Sequence, residues 1–166
     1  MPNLHKILSR RLKFIGIAAN HGGFEVKQYL LGILREAGYH VTDLGNNRPQ
    51  PDDDNSDFIV PLARAVAAGT VDRGIGICGS GEDASIAANK VAGVRARRVD
   101  ETIPAPQGGE NDDLNLICLD GHLVGHAVAW ERVQIFLAAH FSGVERHRRS
   151  LAKVAAVDGQ PLKSTS

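Results

Sequence analysis

The sequence predicts an α/β domain of three layers: an open, doubly wound sheet of five parallel strands covered by helices on both faces, with an extra C-terminal helix. Two patterns carry this expectation. Short apolar runs alternate with stretches of helical period along the chain, and the links between them are short, as βαβ units require. Length agrees, since 166 residues suit one domain with a proper core.

The first strand is KFIGIAA, Lys13 to Ala19. In the following NHGGFEVKQYLLGILREAGY, residues Phe24, Tyr29, Leu30, Ile33, Leu34 and Ala37 recur near helical spacing, and Gly38 stops the helix as a C-cap would. HVTDLG is a second strand. The polar loop NNRPQPDDDNSD leads to a helix, DFIVPLARAVAAG, with Pro61 expected within its first turn or so, where a missing N–H is tolerated. VDRGIGIC is a third strand, SIAANKVAG a helix, VRARRV a fourth strand and LNLICL a fifth. Helices over Leu123–Phe141 and Val144–Ala156 close the chain. The domain is expected over residues 13–157, after a basic extension (1–12) and before a flexible tail (158–166). The extension, MPNLHKILSRRLK with its first strand lysine, faintly resembles an organellar transit segment, but a short basic extension is the commoner explanation.

Nineteen basic and nineteen acidic residues cancel, and aromatics are only 5%, so neither nucleic acid nor a membrane surface is the expected partner. No apolar run approaches a membrane span. Both cysteines, Cys78 and Cys118, lie in apolar strand-like runs, which suits a reducing cytoplasm better than a disulfide framework. A small molecule or another protein chain remains.

Ligands in doubly wound sheets bind at the carboxyl ends of strands, near the point where strand order reverses. The loops starting at Asn20, Asn46, Cys78 and Val99 are therefore the places to look. The segment ICGSGEDASIAANK puts a cysteine at the head of a glycine-rich turn running into a helix. In Gly79-Ser80-Gly81-Glu82-Asp83-Ala84 the glycines let backbone N–H groups converge at the helix start, where they bind a phosphate or an enediolate oxyanion; a plain tight turn explains the glycines equally well. Cys78 favours chemistry, because a thiol beside a helix N-terminus has its thiolate stabilised and serves as nucleophile or as a base at carbon. Cys118 lacks such neighbours and reads as core. GIGICG matches the dinucleotide pattern formally, but most of it lies within the strand and is discounted. His21, at a strand end ahead of a helix, is ordinarily a cap or turn residue. Asn111, Asp112, Asp113 and Asn115 fit loop solvation as well as ligand binding, and the basic run ERHRR from Glu145 to Arg149 fits a solvated helix face as well as a phosphate site.

With Cys78 leading CGSG and then SIAANKVAGVRA, the sequence resembles the sugar-phosphate isomerase family that contains ribose-5-phosphate isomerase B and the galactose-6-phosphate isomerase subunits. The likeness runs from about Lys13 to Val157 and also rests on ANHGGFEVKQYL, NDDLNLICL and RHRRSLAKV. It implies a Rossmann-like dimer, or a tetramer, that interconverts an aldose and a ketose, usually phosphorylated, with no metal or cofactor. By that resemblance Cys78 takes a proton from the carbon next to the carbonyl and returns it to the neighbouring carbon through an enediolate. Gly79, Ser80 and Gly81 hold the oxyanion, Ser80 assists ring opening, His21 lies near sugar and phosphate, and Arg146 reaches the phosphate from the second subunit.

Several positions depart from the family pattern. Asn20 stands for an aspartate, Asn55-Ser56 for a tyrosine-proline pair, Asp100 and Asn111 for histidines, His122 and Ser150 for arginines, and Glu82-Asp83 for a small residue and a glycine. The base and part of its anion hole are kept, while much of the phosphate and ring-opening equipment is replaced. The expected set is Cys78, Ser80 and Asn111 for catalysis, with Asn20, His21, Gly79, Gly81, Glu82, Asp83, Asp112, His122 and Arg146 for binding. Two functional classes follow: an aldose–ketose isomerase for a small sugar or sugar phosphate, or a non-catalytic sugar-binding or partner subunit of the same fold. A flavodoxin-like binder unrelated to sugars is the third and weakest reading.

Overall fold

A computed structural model describes residues 13–45, 54–79, 81–99, 113–122 and 125–158. The expected extension (1–12), most of the expected tail and the sequence-predicted Ser80, Asp100, Asn111 and Asp112 lie outside these. Five strands form one parallel sheet: β1 (Phe14–Ala19), β2 (His40–Asp43), β3 (Arg73–Cys78), β4 (Ala96–Val99) and β5 (Leu116–Asp120), in the order β2-β1-β3-β5-β4. Among the described residues five α-helices accompany them: α1 (Phe24–Glu36), α2 (Asn55–Ala67), α3 (Glu82–Asn89), α4 (His126–Ala138) and α5 (Glu145–Val157). The doubly wound three-layer expectation is met, with α5 as the extra C-terminal helix.

The layers follow from strand parity. On one face Ile15, Ile17, Ile75, Ile77, Ile117 and Leu119 meet the buried sides of α1 and α4; on the other, Ala18, Cys78, Leu116 and Cys118 meet α2 and α3. Because both faces are covered, the central strands are almost wholly apolar, as a buried parallel sheet demands. From β1 the chain moves outward to β2 and then returns to β3 on the other side of β1. The loops after β1 and β3 therefore diverge, leaving a crevice at the carboxyl edge.

Local chemistry explains where the elements differ from expectation. NHGG is a separate 3-10 turn, His21–Gly23, because the Asn20 side chain accepts the Gly22 N–H at 3.0 Å and holds the chain in a tight turn before α1. Pro61 is the seventh residue of α2, not a first-turn proline; its ring is exposed, so water can serve the Asp57 carbonyl it leaves unpaired. Helix α3 begins at Glu82, three residues before the expected start, and ends at Asn89 instead of Gly93. There the Asn89 side chain accepts from Ala96 N–H and donates to Ala96 C=O, pairing the free side of edge strand β4 as a neighbouring strand would. At the amino end of the central strand β3, buried Arg73 donates to the carbonyls of Phe136 and Ala139 at the end of α4. Burial pulls its guanidinium below the usual arginine value, while Asp113, Tyr39 and Asp72 act in the other direction.

Candidate active site

Three strand ends build the site. At the end of β1, Asn20 N–H donates to Ile77 C=O at 3.2 Å, and its Asx turn puts His21 at the surface. At the end of β3, Cys78 is fully buried, and its sulfur accepts the Gly81 N–H at 2.9 Å. Gly81 adopts φ +67°, a left-handed conformation that turns the chain from strand into α3 and aims this amide back at the sulfur. The first amides of α3, which lack partners within the helix, open onto the same turn.

At the end of β5, Asp120 lies in register beside Cys78, and Gly121 N–H donates to Cys78 C=O at 2.7 Å. Gly121 passes so close to the first loop that a Cβ there would overlap the Gly22 carbonyl. This approach carries His122 across the turn: a Cβ built on Gly79 would lie 3.2 Å from its ring, and one on Gly22 would lie 3.1 Å from both His122 Nε2 and the Gly79 backbone. His122 N–H donates to Asp120 Oδ1 at 3.0 Å, which fixes the loop.

Beside these loops lies an open cleft of about 610 Å³, whose lining includes His21, Gly22, Glu25, His122 and His126. Tyr29 stacks on the His126 ring with centroids 4.7 Å apart. The cleft does not include Cys78; Gly22 and His122 line the cleft and also touch the cysteine turn. The arrangement offers a thiol with an amide donor, a helix start beside it and an imidazole-lined cleft for the remainder of a small polar molecule. Among the described residues no group of three or more His, Cys, Asp or Glu could hold a metal ion. Among them, too, no helix is long and apolar enough to cross a membrane.

A profile described as Ribose/Galactose Isomerase matches residues 15–154. The chain belongs to this family. It is 34% identical over 147 residues to ribose-5-phosphate isomerase B of Escherichia coli, covering 89% of this chain and 97% of that one. The solved ribose-5-phosphate isomerase B of Clostridium thermocellum superposes with a TM-score of 0.82 at 38% identity, covering 87% of this chain and 96% of that chain. That of Mycoplasma genitalium, solved with bound ribulose-5-phosphate, gives 0.84 at 34% identity, covering 89% and 97%.

In this isomerase-family chain, the fold brings together Asn20, His21, Cys78, Gly79, Gly81 and His122 from the sequence-predicted set. Glu82 and Asp83 occupy the first turn of α3 with exposed side chains, where they complement the helix dipole, and neither lines the cleft. Arg146 is exposed on α5, a helix with no buried residue, and its guanidinium lies 3.5 Å from the His147 ring. Asp113 and Asn115 lie at the amino end of β5, away from the cysteine. There the Asp113 carboxylate and carbonyl hold the Arg95 side chain, and Asn115 bonds to Arg95 N–H and Gly93 C=O, a structural clasp. Cys118 is buried in mid-strand, where desolvation, with Cys78 adding to it, pushes its thiol far above the ordinary range.

Sequence reasoning missed Asp120, Arg98, His126, Glu25 and the Lys27–Asp43 pair. Lys27 is fully buried, with its ammonium 3.0 and 3.1 Å from the Asp43 carboxylate, which also accepts Gly45 N–H at 2.9 Å. Through this pair α1 is tied to the end of β2 beside the first loop. A lysine within the apolar period of FEVKQYLL was the available signal.

Proposed function

We propose that the chain is an aldose–ketose isomerase acting on a phosphorylated pentose or similar small sugar, with Cys78 as the base. The observation that carries this reading is the Gly81 N–H donated to the Cys78 sulfur at the start of α3, a geometry that favours thiolate over thiol. The names of the relatives, ribose-5-phosphate isomerase B, supply the substrate class. In the reaction the thiolate removes the proton from C2 of the open-chain aldose, and the electron pair moves to give a cis-enediolate. The thiol returns the proton to C1, and a proton passes between the two oxygens, so that C1 is reduced and C2 oxidised with no external redox partner. In the turn of Gly79, Ser80 and Gly81 the Gly81 N–H serves the sulfur, and the amides of Gly79 and Ser80 with those that open α3 hold the enediolate oxygen, Glu82 and Asp83 contributing only their backbone. Ser80 and Asn111 assist ring opening, and Asn20 and Asp112 bind sugar hydroxyls.

The distal phosphate sits in the cleft against His21 and His122, and Arg146 of a second copy completes the site. Support for a homodimer is α5 itself: Val144, Val154 and Val157 are each about half exposed on or beside a helix that buries nothing in its own chain. No metal or other cofactor is required by this chemistry.

One observation favours the second reading, a sugar-binding or partner subunit without turnover: Cys78 has no solvent exposure. Proton NMR with ribose 5-phosphate in deuterated water decides. The isomerase reading requires deuterium to enter the sugar carbon with this protein and not with Cys78→Ala, which should still bind the sugar, since a base acts mainly in the transition state. Binding without exchange by the unaltered protein, across a panel of pentose phosphates, would leave the binding-subunit reading standing.

A further inference from the structure

The carboxyl edge of the sheet carries a polar row that the reaction described above does not use. Strand parity places Cys78, Asp120 and Arg98 on the same face, following Gly76, Cys118 and Ala96 two residues earlier. Cys78 has Asp120 as its register partner on β5. On its other side β1 ends in Asn20, so Asp120 is the ionisable group of the two. Asp120 is only 7% exposed. Its Oδ2 lies 3.7 Å from a terminal guanidinium nitrogen of Arg98, too far for a hydrogen bond but close enough for charge attraction. The Arg98 stem runs along the Gly81 turn, where a Cβ on Gly81 would lie 3.3 Å from Arg98 Cγ and 3.5 Å from Nε. Nε itself is buried without a hydrogen-bond partner among the described residues. Arg98 thus brings a cation, only loosely engaged, against the turn that donates to the cysteine sulfur.

Resting on Cys78 as the reactive group, we propose that Asp120 and Arg98 are positioning residues that set the ionisation of the Cys78 thiol. The Asp120 carboxylate opposes the thiolate, and Arg98 offsets it from the far side of the same row. A base that must both take and return a proton needs a proton affinity that is neither too high nor too low, and a compensated pair beside the sulfur holds it there. Among the described residues, the other groups near the cysteine turn are less able to do so. Apolar Phe58 and Ile59 of α2 belong to the same buried cluster as Cys78, and Glu82 and Asp83 of α3 are exposed. His21 and His122 are exposed at the cleft, and buried Cys118 holds its proton.

The test is the pH titration of thiolate ultraviolet absorbance in a Cys118→Ala background, which needs neither substrate nor turnover. Arg98→Met should move the Cys78 midpoint up by about one pH unit, and Asp120→Asn, which keeps the acceptor for His122 N–H, should move it down by a similar amount. The double variant should return to within a few tenths of the parent, and Arg98→Lys should titrate with the parent. A merely structural pair would leave the midpoint unmoved or shift it the same way in both single variants, and either result overturns the proposal. Should Arg98→Met fail to fold, the sign of the Asp120→Asn shift together with Arg98→Lys still decides. Loss of isomerase activity in the unaltered protein would sink the proposed function and leave this titration intact.

Discussion

Replacing Gly81 by alanine perturbs the turn at the one residue where backbone conformation and sulfur chemistry meet. Gly81 sits at φ +67°, where an L-residue with a Cβ costs about 1–2 kcal/mol. The new Cβ would meet Arg98 Cγ at 3.3 Å, a contact that a flexible side chain relieves by moving a few tenths of an ångström, so strain dominates over clash. If the turn holds its shape, a chain of this length should lose about 2–8 °C of melting temperature and keep its sulfur geometry. If the turn relaxes out of the left-handed region, stability recovers but the N–H donated to Cys78 is lost. A hydrogen bond to a charged acceptor contributes about 1.5–3 kcal/mol, so carbon-proton exchange should then fall by about 10- to 100-fold. Thermal unfolding and deuterium exchange measured on the same sample read the two limbs. Gly32→Ala is the control: it lies in α1 with nothing within 4 Å of a new Cβ and should stabilise by about 1 kcal/mol. Unchanged melting and unchanged exchange in Gly81→Ala together would refute the claim that this conformation and its amide matter.

Lys27→Met should destabilise the protein by about 2–4 kcal/mol in urea titrations, because it strands the half-buried Asp43 carboxylate, and adding Asp43→Asn should restore most of the loss. Cys118 makes stability fall in alkali: its thiol ionises near 9.0 when unfolded but far higher when buried, so above that pH the unfolded chain binds fewer protons and stability drops by up to about 1.4 kcal/mol per pH unit. Cys118→Ala should remove that part of the slope, which urea titrations on either side of pH 9 will show. Light scattering at micromolar concentration should report a dimer, and truncation before Val144 a monomer, because the exposed valines of α5 need a second copy to cover them. Selectivity for sugar phosphates over free sugars should stay below about a thousandfold, or ~4 kcal/mol, because imidazoles at His21 and His122 cannot grip phosphate bidentately as arginine does; specificity constants for each pair are the check.

Periodicity made the fold legible because both faces of the sheet are buried, and IGIAA, GIGIC and LICL admit no other placement. Boundaries were less legible where a side chain outweighs periodicity. Asn20 diverts NHGG into a 3-10 turn by accepting one amide, and Glu82 and Asp83 extend α3 backward because acids favour a first helical turn. In the site, Cys78 and Gly81 were legible because thiol and glycines are adjacent in sequence. Asp120 and Arg98 were not, because their meaning comes from pairing between strands more than twenty residues apart. A signal was nevertheless present: Asp120 in LICLD keeps the parity of Cys118, and the second arginine of ARRV, Arg98, keeps that of Ala96, so both belong to the face of Cys78. Asp113 and Asn115 stayed ambiguous between loop solvation and ligand binding for the opposite reason, since a polar cluster next to a strand does not say which end of the sheet it occupies.

The burial of Cys78 and the openness of the cleft form one arrangement, and its hinge is the contact of Gly22, Gly79 and His122. A base at carbon must come within about 3–3.5 Å of the carbon it deprotonates, yet the sulfur has no exposure and the cleft stops at His122. Between them stand two residues without side chains and one imidazole held through Asp120 at its backbone. The glycines leave no side chain to move, so the path to the sulfur depends on the His122 ring and on the turn at Gly79. Burial raises the cost of a thiolate, while the Gly81 amide and the α3 dipole lower it. The buried thiol is kept from water, and the cleft that His21 and His122 line lies on the other side of this contact. The contact of Gly22, Gly79 and His122 thus allows no added bulk: a side chain at Gly22 should lower exchange by pressing on both the His122 ring and the Gly79 backbone.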